Sequence, residues 1–303
     1  MPDDDAPTWT FVAAPAGTAP GVVSMVGYRA LASPPEIHRG LPSPTLTFIV
    51  SLDEGLRAAN SRDALGVGQP VPVLLSGLQD SVAHVRQQRG QAGVQLAVHP
   101  LAARALFGAP SAELNIPDFD GSALLGRRAA ELHERVAATP DWDQSFATIA
   151  TFLREGLDRR GGGSVRPEVR HAWHLLGRTW GRMPANAVAD RVGLTPRHLT
   201  TLFQREVGRS PKAVALLMRF HRARSLLADA ARRGPLELST IAVDAGYSDQ
   251  AHLTREFTRF AGTPPRRWLA EEFRNIQDGG HRISSDCDHD CLESKCLADA
   301  ASS

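Results

Sequence analysis

Val188-Ala189-Asp190-Arg191-Val192-Gly193-Leu194-Thr195 and Ile241-Ala242-Val243-Asp244-Ala245-Gly246-Tyr247-Ser248 are two versions of one pattern, and reading them together decides the fold of the second half of the chain. Their apolar, alanine, glycine and hydroxyl positions coincide at an offset of 53. The next blocks, His198-Leu199-Thr200 and His252-Leu253-Thr254, coincide at an offset of 54, as do Gly208 with Gly262 and Pro211 with Pro265. One residue is therefore inserted in the second copy near its turn, and agreement at so many positions points to a duplicated supersecondary unit. In each copy a short helix would end at the glycine, where a left-handed backbone is easiest. Thr195 and Ser248 would supply the side-chain oxygen that caps the next helix, with Pro196 at the first helical position of copy one. Helix, glycine turn, capped second helix is a helix-turn-helix. The two units fall at about 185–207 and 238–260.

At about 100° per residue the second helix of each unit has an inside and an outside. In copy one Leu199, Leu202, Phe203 and Val207 form the inner stripe, so Arg197, His198, Thr201, Gln204 and Arg205 face away. In copy two Leu253, Phe257 and Phe260 go inward, and Gln250, Ala251, His252, Arg255, Thr258 and Arg259 lie outside that stripe. Arg pairs with guanine, Gln with adenine and Thr with either, so these are residue types that read base edges. A solvated surface helix can carry the same residues; the basic character of both outward faces tips the balance toward duplex DNA. Base contacts are expected from Arg197, Thr201 and Gln204, and from Ala251, His252 and Arg255, with Arg205 and Arg259 on phosphates. Between the units, Ser210 as N-cap and Pro211 begin a helix that meets no breaker before Ala231. At about 1.5 Å per residue it would be about 31 Å long, close to the roughly 34 Å of one DNA turn. A rod of that length could set two recognition helices into successive major grooves within one chain. Because the outward sets differ, the site read would be asymmetric.

The charge distribution agrees. Residues 165–275 hold 19 basic and 10 acidic residues, whereas 1–164 hold 13 and 17 and 276–303 hold 2 and 6. The net charge of +1 conceals this partition; a local excess of cations is what a polyanion-binding module needs. A length of 303 residues suits about two domains at roughly 100–200 residues each. The domain reading is 1–160, a linker at 161–164 within the Gly-rich run Arg159–Ser164, 165–275, and a loose acidic tail at 276–303. Mean hydropathy is −0.22, and no apolar run approaches the ~18 residues of a spanning helix. Three aspartates open the chain where a signal peptide would be basic, so a cytoplasmic location and no membrane contact are expected.

The first half reads as short strands broken by Gly and Pro: Trp9–Ala13, Val22–Arg29, Leu46–Ser51, Val71–Leu75 and Val94–Val98. A sandwich or small barrel is expected. From Ser122 helical periodicity takes over, with Leu125, Leu132 and Val136, then Phe146, Ile149, Leu153 and Leu157. These helices could cover the barrel or a partner subunit. The fold class is thus α+β: a β-rich N-terminal barrel or sandwich, then an all-α domain of two helix-turn-helix subdomains joined by a long helix.

Over roughly Val165–Phe273 the sequence resembles the AraC/XylS family of transcriptional regulators. The likeness is carried by Leu194-Thr195-Pro196-Arg197-His198-Leu199-Thr200-Thr201-Leu202-Phe203, Gly208-Arg209-Ser210-Pro211, Arg219, Ala223 and Leu226-Leu227. The second unit adds Ile241-Ala242, Gly246-Tyr247-Ser248-Asp249, His252-Leu253-Thr254-Arg255-Glu256-Phe257 and Gly262-Thr263-Pro264-Pro265. Tyr247 stands where the family usually has Phe, Ala251 where it often has Ser, Leu253 where Phe is common, and Thr201 where a basic residue is frequent. The N-terminal half, from Leu75-Ser76-Gly77 through Glu113-Leu114, resembles the cupin-like domain of some of these regulators. The resemblance implies promoter binding and control of transcription without enzymatic activity or cofactor, through an N-terminal sensing or dimerising domain. Double-stranded promoter DNA is then the partner, with RNA polymerase, a small-molecule effector and a second copy of the chain as further candidates.

Other constellations carry competing readings. Cys287, His289, Cys291 and Cys296 make four soft ligands, the number tetrahedral zinc takes. Their compact spacing lacks the separated pairs of a zinc finger, so an acidic tail with incidental cysteines competes with a metal- or redox-sensing regulator. His38, His84 and His99 lack the His-x-His of a cupin metal site and read as structural or surface residues. His133-Glu134 has no second His at metalloprotease spacing. Trp173, Trp180 and Trp268 read as helical core residues. A DNA-repair alkyl-transfer enzyme fused to such a domain needs a reactive cysteine, and none precedes Cys287.

Overall fold

Leu46-Thr47-Phe48-Ile49-Val50 is a nearly continuous apolar run, as in a strand buried on both faces, and it organises the first domain. In the computed structural model, which describes residues 8–32, 37–66, 68–116, 119–139, 141–160, 165–234 and 237–280, this strand is β4 (Leu46–Ser51). It lies in a five-stranded antiparallel sheet with β1 (Trp9–Ala13), β2 (Val22–Ala30), β6 (Val73–Ser76) and β8 (Ala92–Val98), in the order β1-β2-β8-β4-β6. Leu46, Phe48 and Val50 point to one face with Val73, Leu75, Val94 and Leu96. There they meet helices α1 (Ala103–Phe107), α2 (Ser122–Leu125), α3 (Arg127–Ala137) and α4 (Trp142–Arg160). Ile49 and Leu74 point the other way with Trp9, Tyr28, Leu56, Val71 and Phe119. That second face looks toward a three-stranded sheet of β3 (Ile37–Gly40), β5 (Arg57–Ala59) and β7 (Ala83–Arg86), ordered β3-β7-β5. Neither sheet closes on itself, so the domain is two open sheets and not a barrel.

Sequence reading located the larger sheet and missed the smaller one, together with α1. β3 and β7 are half-buried along their whole length and carry His and Arg, and β5 has three residues, so none shows alternation. The helices from Ser122 cover the sheet: Leu125, Leu132, Val136, Phe146, Ile149, Leu153 and Leu157 are all in its core. Gly27 makes this cover close. A Cβ there would stand 2.4 Å from the Trp142 ring, so only glycine lets α4 approach β2.

The second domain is helical: α5 (Pro167–Arg178), α6 (Ala185–Arg191), α7 (Pro196–Val207), α8 (Pro211–Arg233), α9 (Leu238–Ala245), α10 (Gln250–Ala261) and α11 (Pro265–Gln277). Helix α8 runs two residues past the expected Ala231 and stops at Gly234. Helix α11 passes the expected boundary at 275, because Ile276 is fully buried. Trp173 and Trp268 are core residues, but Trp180 is half-buried beyond the end of α5, with φ +50° and its ring under Arg222. The linker 161–164 and the cysteines with His289 lie outside the described residues. Among the described residues no helix is long and apolar enough to cross a membrane, and no cluster of three or more His, Cys, Asp or Glu could hold a metal ion.

Near the end of α11 the domains are fastened together by side chains in and just past its last turns. Asp278, just past α11, accepts hydrogen bonds from the Thr8 and Trp9 amides at 2.8 and 3.0 Å. On β3, Arg39 pairs with Glu271, and His38 Nδ1 lies 3.2 Å from Glu272. His99 lies elsewhere, accepting from Leu101 N and set edge-on to Trp173, while His133 donates to the Asp53 carbonyl. Burial works to keep His38 neutral. The charge and hydrogen bond of Glu272 outweigh that, despite Arg39 and Arg224, and raise its pKa above 6.5. A histidine whose pKa rises on folding stabilises the fold while protonated. That contribution should be full below pH 6.5 and vanish as pH climbs through the raised value. Thermal unfolding against pH should therefore show the parent losing its advantage over His38→Gln in this direction; parallel curves would refute the latch.

Candidate nucleic-acid interface

The first unit is built as its sequence requires, and the second differs at its cap. Thr195 Oγ1 accepts from His198 N at 3.2 Å and caps α7. In the second unit the cap is Asp249, whose Oδ1 accepts from His252 N at 2.7 Å, and not Ser248. The inserted residue falls before the cap, so Asp249 and not Ser248 matches Thr195 in space. Ser248 instead donates to Asp249 Oδ2 and lies 3.1 Å from His252 Nδ1. The His252 amide, followed by the Ser248 hydroxyl, holds the Asp249 carboxyl below the usual carboxylate range. The inner stripes are as expected: Leu199, Leu202, Phe203, Val207, Leu253, Phe257 and Phe260 are buried.

Of the residues assigned to DNA, Arg197, His198, Thr201, Gln204 and Arg205 are exposed along α7, and Gln250, Ala251, Arg255 and Arg259 along α10. Thr201 donates its hydroxyl to the Arg197 carbonyl at 3.1 Å. His252 is half-buried, its ring edge-on to Tyr247 at 5.1 Å and its Nε2 4.0 Å from Glu256. It therefore braces the turn as well as standing near the surface. Not all of the domain's cations face solvent. Arg219 forks onto Glu256, Arg222 lies over Trp180, and Arg232 pairs with Asp229. Charge counting overstates the basic surface for this reason. What it missed is the pair of acids on α7 and α10, Glu206 and Glu256, each nine-tenths buried and each held by arginine.

A cavity of about 300 Å³ lies between the two sheets. Its apolar wall includes Trp9, Tyr28, Ile49, Leu74 and Phe119, and residues of α8 and α11, among them Arg224 and Asn275, reach it from the second domain.

Two capped helix-turn-helix units on either end of one long helix define a helix-turn-helix DNA-binding protein. Residues 188–271 match the family model for a helix-turn-helix domain, of the AraC type, so the resemblance read in the sequence holds over that span. No curated protein matches the chain. Among solved structures, the C-terminal domain of AraT, a response regulator from Geobacillus stearothermophilus, is similar at 21% identity. The match covers 36% of this chain and 88% of that one, with a TM-score of 0.32. A probable AraC family transcriptional regulator from Rhodopseudomonas palustris CGA009 shares 26% identity over 35% and 96% of the two chains, with a TM-score of 0.31. ToxT from Vibrio cholerae shares 12% identity over 86% and 98%, with a TM-score of 0.48. Over residues 188–271 the chain thus carries an AraC-type helix-turn-helix DNA-binding domain, which supports a DNA-binding transcriptional regulator.

Proposed function

We propose that the protein sets α7 and α10 into successive major grooves on one face of promoter DNA, in the cytoplasm, and that its N-terminal domain modulates this binding. The observation that carries the reading is the pairing of two outward, base-reading helix faces through α8. Its 23 residues span about 34 Å at about 1.5 Å each, the length of roughly one DNA turn. Arg197, Thr201 and Gln204 serve one groove, and Ala251, His252 and Arg255 the other, flanked by His198 and Gln250. Arg205 and Arg259 take phosphates. The cavity between the sheets is the place for a small-molecule effector, because a ligand there touches both domains at once.

Selection of duplexes from a random library should return an asymmetric site with two blocks one turn apart. On that site Arg255→Ala should cost ~1–3 kcal/mol and relax preference at one base. An equal loss on every sequence would make Arg255 a backbone contact, and a selected site with one block alone would overturn the two-groove reading.

A further inference from the structure

Arg205 and Arg259 occupy equivalent places in the repeat, at an offset of 54, yet they are held by different partners. The Arg259 guanidinium lies over the ring of Phe260, 4.8 Å from its centroid. At the place of Phe260, copy one has Glu206. Arg205 Nε donates to Glu206 Oε1 at 3.0 Å. The other carboxylate oxygen accepts from Arg104 of α1, in the N-terminal domain, at 3.2 Å. Glu206 is an unlikely residue for its position on elementary grounds. It stands in the last turn of α7, where the helix's own carbonyls are already negative, and its side chain is 9% exposed. A carboxylate there needs cations, and it draws one from each domain.

The docking around it is tight. At Gly208, which ends α7 with φ +79°, a Cβ would come within 2.8 Å of the Ala112 backbone. Arg209 pairs with Asp80 at 3.6 Å. The equivalent Gly262 has nothing nearer than Val82 Cγ1 at 3.6 Å from such a Cβ. The N-terminal domain thus seats itself on the C-terminal end of the first recognition helix and only brushes the second.

We propose that Glu206 is a positioning residue through which the N-terminal domain governs the first recognition helix. Arg104 takes a share of the Glu206 charge and so loosens the hold of Glu206 on Arg205, which is then presented to a DNA phosphate. Without Arg104 the carboxylate turns its whole charge on Arg205 and toward the phosphate backbone. This inference rests on the DNA-binding reading above and specifies how that binding is regulated.

Binding of the full chain to mixed-sequence linear duplex DNA, followed across a salt series, tests it. Arg104→Gln should weaken binding about fivefold, at the lower end of allosteric couplings. It should also flatten the dependence of log K on log salt by about 0.9, the loss of one phosphate contact. Arg104→Lys should keep most of the parent's affinity and slope. Glu206→Gln should bind at least as well as the parent, and adding Arg104→Gln to it should change nothing further. Independent effects of the two substitutions would overturn the proposal, as would an unchanged salt slope. Coupling seen in thermal unfolding but absent from DNA binding would show a contact that is structural alone, and so refute it. A parent chain that fails to bind duplex DNA at any salt would overturn the DNA-binding reading itself, and this inference with it.

Discussion

Phe257→Ala is expected to unfold the second helix-turn-helix unit ahead of the rest of the molecule. Phe257 is fully buried, with its ring 5.1 Å from Phe220 on α8 and 5.5 Å from Trp268 on α11. Phe220 in turn meets Phe260 at 4.9 Å. Helix α10 is therefore pinned to its two neighbours by one aromatic cluster. Truncating such a ring leaves a cavity and costs ~3–5 kcal/mol, a large part of the roughly 5–15 kcal/mol that holds a typical domain together. The loss should be local, since α9 and α10 pack mainly on α8 and α11. Hydrogen exchange should show the amides of α9 and α10 losing protection while the five-stranded sheet keeps its own. Urea unfolding supplies the magnitude, and Phe257→Leu, which keeps most of the volume, should lose less than about 1.5 kcal/mol. A loss for alanine as small as that for leucine would mean that the cluster does not hold α10 in place.

How much of this was legible beforehand follows from what each feature depends on. The inner stripes, the caps at Thr195 and Ser210 and the long helix depend on residues a few positions apart, and all were readable. The cap at Asp249 was misread by one residue, because the insertion could be placed on either side of it. Only the hydrogen bond to His252 N settles which oxygen is used. The smaller sheet was invisible for a different reason. Its strands bury neither face fully, so they carry no period, and their pairing joins β3 to β7 across more than forty residues of chain. The fastening between domains is still more remote. Asp278 accepts from the Thr8 and Trp9 amides 270 and 269 positions away, and Glu206 meets Arg104 at a separation of 102. No local pattern encodes such pairs. The sequence offered a hint at Glu206, where an acid replaces the apolar residue of the second repeat, but nothing in it named Arg104.

Glu256→Gln is the second substitution with a large expected effect, and it separates stability from orientation. Glu256 accepts a fork from Arg219, Nε to Oε1 at 3.3 Å and Nη2 to Oε2 at 3.2 Å, and the side chains are 9% and 17% exposed. The same guanidinium lies over the Tyr247 ring at 5.1 Å, and His252 Nε2 stands 4.0 Å from the carboxylate. Burial, followed by the Glu256 charge, pushes the Tyr247 phenol far above its usual range, so the ring acts as a neutral floor to the pair. One knot thus joins α8, the turn and α10. Glutamine keeps the shape and one acceptor but leaves the Arg219 charge uncompensated, which should cost about 3 kcal/mol. Replacing both residues, Arg219→Met with Glu256→Leu, removes the buried charges together and should recover most of that loss. The apolar pair should nevertheless bind the selected duplex less well than the parent, because packing without a fork allows α10 to roll about its axis and, in the proposed groove contact, carries Arg255 and His252 out of register with the bases. Measuring urea stability and duplex affinity on the same three proteins decides between the two roles. If affinity returns along with stability in the double variant, the ion pair does no more than hold the helix down. If stability returns alone, the pair sets the orientation of α10 that the proposed groove contact needs.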